Sequence, residues 1–254
     1  MPAEVAWSAG SAKSAASAAA GTRVEGSTAN AKPAVASKAA SSSNQAAARY
    51  GWGKVVGGDE FNYRGAPSSR KWRVYNSRGH AGKGWRRPSA WHVNGSVATV
   101  TGSPSGTTGG MSSRHARKYG RWEARMKTNV RDPQYHPNIL LWPHVGTKNC
   151  PEVNFAESTS NRKLVKFFLH YGCQPRQTQK AKAVNTTTWH TYAVEWTPTH
   201  ITGYIDGVPY FRDNNRGHLP KVSMHAAIQL DWFRNKSRTT KSTMSVDWIR
   251  IYRA

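Results

Sequence analysis

Two glutamates five positions apart stand out in a chain that carries few acidic residues. Glu152 and Glu157 lie in residues 151–157, PEVNFAE, whose other members are apolar or neutral. The chain has 13 Asp and Glu residues against 37 Lys and Arg residues, so two carboxylates this close are conspicuous. Two carboxyl groups with their oxygens roughly 5–5.5 Å apart can act as nucleophile and acid/base on a glycosidic bond. The pair therefore suggests a glycosidase that retains the anomeric configuration.

The segment around the two glutamates predicts a β-strand with a bulge. Side chains at positions i and i+2 of a strand share one face, so Glu152 and Asn154 point the same way. Glu157 would point to the opposite face of a regular strand. One extra residue at Phe155 or Ala156 would turn it back, and bulges are common beside active sites. We therefore expect a bulged strand with three polar side chains on one face.

This pattern resembles the Glu-x-Asp-x-x-Glu signature of glycoside hydrolase family 16, which contains the laminarinase and lichenase type of β-glucanase. Further segments resemble strands of the same family in the family's order, at residues 119–127, 189–192, 195–196, 204–207 and 246–252. The resemblance implies a β-sandwich jelly roll with a concave carbohydrate-binding cleft. It also implies an endo-acting enzyme for a β-1,3- or mixed β-1,3-1,4-glucan, with Glu152 as nucleophile, Glu157 as acid/base and no required cofactor.

Asn154 is the main departure from the signature, which has Asp at this position. An Asp there can hydrogen-bond the nucleophile and, as a third charge, help to keep the acid protonated. Asn keeps the hydrogen bond but carries no charge. We expect reduced turnover, with the pH limb governed by Glu157 displaced to lower pH. The alternative is a lectin-like or polyanionic-polysaccharide-binding protein on the same fold, with weakened catalysis.

The resemblance also indicates side chains for sugar binding. Trp142 resembles a family tryptophan that stacks on sugar, with core packing as the alternative. Glu123 and Arg125 match positions that hydrogen-bond substrate or brace the catalytic strand, and a structural salt bridge is the competing interpretation. His170 matches a histidine beside the cleft, although a lone histidine in an apolar strand is usually a core residue. A later strand adds three candidates, Gln229, Asp231 and Trp232.

A metal site has little support in the sequence. Asp247 falls where many relatives hold a structural calcium ion, but one carboxylate does not define a site that needs roughly six oxygens. The ten histidines show no paired spacing of the zinc type. No Gly-rich phosphate loop and no Gly-x-Ser-x-Gly elbow is present. Calcium is therefore the one metal that the resemblance leaves open.

Composition divides the chain into two parts. Residues 1–49 are mostly Ala, Ser, Gly and Thr and contain one aromatic residue, Trp7, so we expect a disordered tail or linker. Residues 50–254 alternate short β-branched and aromatic runs with turn residues, which predicts one all-β sandwich domain. Residues 1–20 lack the apolar run of a secretory signal peptide, and no stretch approaches the ~20 apolar residues of a membrane span.

The two cysteines flank neighbouring predicted strands. Cys150 precedes the glutamate strand and Cys173 follows the next one, so antiparallel pairing would bring both to one sheet edge. A disulfide there would favour an oxidising, extracellular compartment. Two buried free thiols are the alternative.

The charge is strongly positive. The formal net charge is +24, of which residues 1–49 contribute +3. Such a charge attracts polyanions at low salt. The chain has no nucleic-acid-binding motif, so we expect no specific nucleic-acid partner; an anionic cell wall or a sulfated galactan fits the resemblance better. The alternative is that the positive charge serves only solubility. We expect the protein to be a monomer.

Overall fold

The computed structural model describes residues 42–145, 150–173, 176–235 and 237–254. In these ranges one short helix, α1 (Ala46–Arg49), and three single-turn 3-10 helices accompany nineteen strands. The strands are β1 (Val55–Asp59), β2 (Arg64–Gly65), β3 (Trp72–Val74), β4 (Ser77–Arg78), β5 (Trp85–Arg86), β6 (Trp91–Asn94), β7 (Ala98–Gly102), β8 (Thr107–Thr108), β9 (Gly110–Arg117), β10 (Gly120–Thr128), β11 (Tyr135–Pro143), β12 (Glu152–Glu157), β13 (Leu164–His170), β14 (Gln177–Ala183), β15 (His190–Trp196), β16 (Ile201–Ile205), β17 (Val208–Asp213), β18 (Met224–Trp232) and β19 (Ser242–Tyr252).

Two large antiparallel sheets form a jelly-roll sandwich, which confirms the all-β prediction. The first sheet has nine strands in the order β17-β16-β15-β10-β19-β7-β6-β2, with β1 paired to β19. The second has seven strands in the order β14-β13-β12-β11-β18-β9-β3. A small third sheet, β4-β5-β8, includes one parallel pair. The strand with the two glutamates is therefore an inner strand of the seven-stranded sheet.

The core lies between the two large sheets because both present alternate apolar side chains to each other. From β12 it receives Val153 and Phe155, and from β10 it receives Trp122 and Met126, all fully buried. Side chains at the intervening positions point away from the core. The seven-stranded sheet can therefore display polar groups on its outer side while its other side holds the fold together.

Residues 42–49 belong by composition to the expected tail, yet here they form a 3-10 turn (Ser42–Asn44) and α1, and α1 packs on the outer side of the nine-stranded sheet. Ala46 is fully buried and joins Trp52, Tyr204 and Tyr252 in a second, smaller apolar cluster. The rest of the expected tail, residues 1–41, lies outside the described residues. None of the described helices has the length and apolar character needed to cross a membrane.

Candidate active site

The bulge predicted for the glutamate strand is present at Phe155. Opposite β12, Ile139 pairs with Ala156 while the adjacent Leu140 pairs with Asn154, so Phe155 has no partner on β11. The register with β13 shifts over the same interval. The extra residue turns Glu157 to the same side as Asn154. That side is the solvent-facing side of the seven-stranded sheet, called the cleft face below.

Both glutamates on the cleft face have a raised pKa, and the charge of Glu152 acts on Glu157. Burial, together with the charges of Glu152 and Asp231, raises the pKa of Glu157 to about 8. Burial likewise raises the pKa of Glu152 to about 7, with an additional contribution from Asp231. Glu157 therefore holds its proton to higher pH than Glu152. This difference suits an acid beside a nucleophile.

Asn154 lies between the two carboxyl groups and bonds to the second of them. Its Nδ2 donates a hydrogen bond to Oε2 of Glu157 at 2.8 Å. Hydrogen bonding from Asn154 lowers the pKa of both glutamates, which opposes the effect of burial. The displacement of the pH limb governed by Glu157 to lower pH stays a prediction. Burial and neighbouring carboxylates nevertheless keep the pKa of Glu157 above neutrality.

Trp142 and His170 lie on the cleft face on either side of this pair. Trp142 is on β11, two residues after Leu140 and therefore on the same face of the sheet, and it pairs with His225 of β18. His170 of β13 is directly opposite Glu152. Both side chains are partly exposed. The structure therefore brings the expected aromatic residue and the expected histidine to the glutamates.

Gln229 and Asp231 also lie on the cleft face, where an arginine binds both. Arg86 of β5 donates to Oε1 of Gln229 at 2.9 Å and to Oδ1 of Asp231 at 2.5 Å. The Arg86 guanidinium also lies 5.6 Å from the centroid of the Tyr75 ring. The small third sheet thus closes one end of the cleft face with a fixed cation.

Next to Asp231 three aromatic rings form a stack. The Phe233 ring lies 4.0 Å from the His136 ring and 4.5 Å from the His80 ring, centroid to centroid. His136 is the residue of β11 that pairs with Asp231. Burial lowers the pKa of His136 to about 4, so its ring is neutral at physiological pH. The stack offers a flat apolar wall at this end of the cleft face.

Several buried polar atoms on the cleft face have no hydrogen-bond partner within the described residues. They are Nδ1 of His136, Oδ1 of Asn138, Oδ1 of Asn154 and Nδ1 of His225. Asn138 pairs with Glu157 on one side and with Gln229 on the other, so it lies beside the glutamates. Buried polar atoms normally find partners. Unpaired atoms beside an open face are suited to bind water or a polar ligand.

Glu123 and Arg125 do not belong to this site. Both are on β10 of the nine-stranded sheet and point away from the core on the opposite side of the molecule. Glu123 is fully buried beneath α1, and its Oε1 accepts the N–H of Ala46 at 2.5 Å. Arg125 forms an ion pair with Asp247 at 2.7 Å. The contacts of Glu123 and Arg125 are therefore structural. Neither residue lies where it could contact a substrate on the cleft face or brace the glutamate strand.

Trp232 and Asp247 are likewise displaced from their expected roles. Trp232 follows Asp231 in the strand and therefore points into the core, where it stacks on Tyr135 and is only 7% exposed. The Asp247 carboxylate is bound to the Arg125 guanidinium. In the described ranges no three His, Cys, Asp or Glu side chains lie close enough together to hold a metal. A structural calcium ion at Asp247 stays a prediction.

The predicted disulfide is present. Cys150 and Cys173 are bonded, with their Cα atoms 4.9 Å apart, at the edge where β12 begins and β13 ends. The bond joins the start of the glutamate strand to the segment that follows His170. It therefore fixes the end of the site at which Glu152 lies.

Sequence reasoning missed Arg86, His136, Asn138 and Phe233. Alternation along β11 could have indicated His136 and Asn138, since they lie six and four positions before Trp142 and share its face. Arg86 carries no such signal, because its contact with Asp231 spans 145 positions and depends on how the third sheet docks. Phe233 lies just past the end of a strand, where alternation no longer fixes the direction of a side chain.

Comparison with known proteins agrees with this geometry. A model of the family described as glycosyl hydrolases family 16 matches residues 84–250, more than half of the chain. A laminarinase from Rhodothermus marinus superposes with a TM-score of 0.69 at 23% identity, over 79% of this chain and 97% of that one. A laminarinase catalytic domain from Thermotoga petrophila gives 0.69 at 16% identity, over 78% and 97%.

A third solved structure, SCLam, is a non-specific endo-β-1,3(4)-glucanase of the same family. It gives a TM-score of 0.70 at 20% identity over 79% of this chain and 91% of that one. No curated protein sequence matches the chain. At these identities the solved structures establish the shared fold alone.

Proposed function

The chain belongs to glycosyl hydrolase family 16, and from this premise we propose that it is an endo-acting hydrolase of β-1,3- or mixed-linkage β-glucan that retains the anomeric configuration. The observation that carries the proposal is the bulge at Phe155, which turns Glu152, Asn154 and Glu157 to one open face. Trp142 on the neighbouring strand adds an apolar surface on which a sugar ring can stack.

The chemistry proceeds in two steps. Glu157 in its protonated form donates a proton to the glycosidic oxygen as the bond to the anomeric carbon breaks, while the Glu152 carboxylate attacks that carbon. The leaving chain departs as an alcohol, and the sugar remains as an ester of Glu152. Glu157, now ionised, then removes a proton from water, which attacks the anomeric carbon and restores the Glu152 carboxylate.

Asp231 supplies the negative charge that Asn154 does not carry. It lies on β18, across β11 from the catalytic strand, and its charge raises the pKa of both glutamates. The Arg86 guanidinium holds its carboxylate in place. Asp231 acts through Glu157 and does not itself touch the scissile bond, so we assign it a positioning role. It supports an active enzyme in spite of the departure at Asn154.

The test is release of reducing sugar by the purified protein from laminarin, lichenan, agarose and carrageenan. We expect release from laminarin and lichenan, with the β anomer formed first when the products are followed by proton NMR. Release from agarose or carrageenan alone would replace the glucan assignment with a galactan. Initial formation of the α anomer would contradict the retaining mechanism.

A second candidate function is carbohydrate binding with weak catalysis, which Asn154 favours because it removes one charge from the catalytic set. Here the protein would bind laminarin but release no sugar, and Asn154→Asp would restore release. Binding measured together with release by both forms separates the two functions. Comparable release by the native form and Asn154→Asp would exclude the binding protein.

We further propose that the protein acts outside the cell. The disulfide between Cys150 and Cys173 supports this location, since such bonds persist in oxidising compartments. A polymeric substrate, which does not enter cells, is consistent with it. Detection of the protein in cell-free culture medium, without release of a cytoplasmic marker enzyme, is the corresponding measurement.

A further inference from the structure

A cavity separate from the glutamates opens at the end of β18. Its volume is about 440 Å³, and its lining includes Arg78, Lys83, Trp85, Gly106, Trp232 and Arg234. It adjoins the cleft face through the segment that carries His80 and Lys83. The His80 ring stacks on Phe233 in the aromatic stack beside Asp231, and Lys83, three residues further on, lines the cavity. Burial lowers the pKa of His80, and the charges of both Asp231 and Lys83 also act on it, so the two groups lie near one another. A chain lying on the cleft face could therefore place a substituent in this cavity.

The charged side chains that line the cavity are all cationic. Three of its side chains are cationic, Arg78, Lys83 and Arg234, and all three are exposed. No Asp or Glu is among the lining residues. Within the described residues none of the three cations forms an ion pair with a carboxylate. Their donors are therefore available to an anion, for which charge-assisted hydrogen bonds are the strongest kind.

Two tryptophans orient the arginines of the cavity. The Arg78 guanidinium lies 5.0 Å from the centroid of the Trp85 ring, and that of Arg234 lies 5.7 Å from the Trp232 ring. A guanidinium over an aromatic face keeps its N–H groups, which lie in its own plane, free to bind oxygen. The arginines are thus positioned without a carboxylate partner.

The wall of the cavity is tightly packed. Gly84 and Gly106 both have positive φ, at +65° and +85°, and a Cβ at Gly106 would collide with the Trp232 ring. Only glycine allows the two loops to approach this ring so closely. The cavity is therefore a fixed feature of the fold and more than a group of surface charges.

We propose that this cavity is a subsite for an anionic substituent, a sulfate ester or a carboxylate, carried by the polysaccharide that occupies the cleft face. The inference rests on the proposed function and narrows it, because the preferred substrate becomes an anionic β-glycan. A volume of about 440 Å³ falls in the range of small-ligand sites and holds a substituent with part of its sugar. The high net charge of the chain adds a general attraction for such a polymer but does not direct it to any one place.

The experiment compares three polymers with one backbone: laminarin, laminarin sulfate and carboxymethylated laminarin. The full chain carries Glu152→Gln, so that binding is measured without cleavage, by isothermal titration calorimetry at 0.15 M NaCl. One variant adds Arg78→Gln, Lys83→Gln and Arg234→Gln. The matched control adds Arg49→Gln, Lys54→Gln and Arg253→Gln, three exposed cations on the nine-stranded sheet side. Both variants lose three positive charges.

We expect an anionic polymer to bind about tenfold more tightly than laminarin, an advantage that disappears in the cavity variant and changes by less than about twofold in the control. Comparing the sulfated with the carboxymethylated polymer identifies the anion. If both variants lost the same affinity for the anionic polymers, only the net charge would act and the subsite would be wrong. Equal affinity of the Glu152→Gln chain for all three polymers would also overturn the subsite. Thermal unfolding checks both variants, and Arg234→Gln alone replaces the cavity variant if that variant does not fold.

The outcome does not depend on that of the proposed function. If the native chain releases no sugar from any polymer, the affinity ratio still tests the cavity. If the chain hydrolyses laminarin but binds the anionic polymers no more tightly than laminarin, the proposed hydrolase is supported and the anionic subsite is wrong.

Discussion

The two sides of the sandwich each hold a carboxyl group with a raised pKa, in different surroundings. Glu123, beneath α1 on the nine-stranded sheet, and Glu152, on the cleft face, both have a pKa raised to about 7, in each case chiefly by burial. The two oxygens of Glu123 accept the backbone N–H groups of Ala46 and Ala47. Its acceptors are therefore satisfied by the chain itself.

On the cleft face the chain leaves polar atoms unpaired. Oδ1 of Asn138 and Oδ1 of Asn154 are buried without a partner among the described residues, and both belong to strands that carry or adjoin the glutamates. A raised pKa alone therefore does not distinguish a structural carboxyl group from a catalytic one. The distinction lies in whether the surrounding polar groups are satisfied by the protein or left for a ligand.

The largest expected effect is that of Glu157→Gln on catalysis. Removing the acid should lower release from laminarin by about a thousandfold, within the range of general acid catalysis. A β-glucoside with a 2,4-dinitrophenyl leaving group needs no proton to depart, so its first step should be affected far less. Stopped-flow measurement of the phenolate burst compares the two. An equal loss with both substrates would contradict the assignment of Glu157 as the acid.

On the opposite face, Glu123→Ala should act on stability and leave activity unchanged. The substitution leaves the N–H groups of Ala46 and Ala47 without their acceptor, at a cost of about 1–3 kcal/mol in the free energy of unfolding. Urea denaturation followed by tryptophan fluorescence measures the loss, and the rate on laminarin provides the control. A fall in rate with no change in the urea midpoint would assign Glu123 to the site after all.

Stability should fall as pH rises from about 4.5 to about 7. Burial raises the pKa of Glu123 from 4.5 to about 7, so the folded state keeps a proton that the unfolded state has already lost. Its contribution is present below pH 4.5 and is lost as pH rises through 7. Glu152 and Glu157 act in the same direction. The free energy of unfolding measured across this range should have a smaller slope in Glu123→Gln; an unchanged slope would show that Glu123 ionises normally.

Two substitutions on the cleft face should move the alkaline limb of the pH-rate profile in opposite directions, each by no more than about one pH unit. Asp231→Asn removes a charge that raises the pKa of Glu157, so the limb should move to lower pH. Asn154→Asp adds a charge beside Glu157, so the limb should move to higher pH and turnover should rise. Profiles of kcat/KM on laminarin decide this. If the alkaline limb moved in the same direction in both variants, the electrostatic account would be wrong.

The sequence predicted the strand that carries the two glutamates better than its surroundings, for physical reasons. The bulge at Phe155 follows from the local pattern, because apolar side chains must reach the core while Glu157 reaches solvent. Glu123 and Arg125 also alternate as a strand requires, but alternation does not tell which sheet a strand joins. The docking of residues 42–49 over Glu123 depends on distant contacts that no local pattern carries.

The contrast between the two sides is tested most directly by a matched pair of substitutions. Glu152→Gln and Glu123→Gln each replace a glutamate of raised pKa with an uncharged residue of the same shape, one on the cleft face and one beneath α1. Release of reducing sugar from laminarin is measured for both beside the native form. We predict a loss of at least about a thousandfold for Glu152→Gln and native release for Glu123→Gln. Undiminished release by Glu152→Gln, or an equal loss in both, would contradict the assignment of catalysis to the bulged strand.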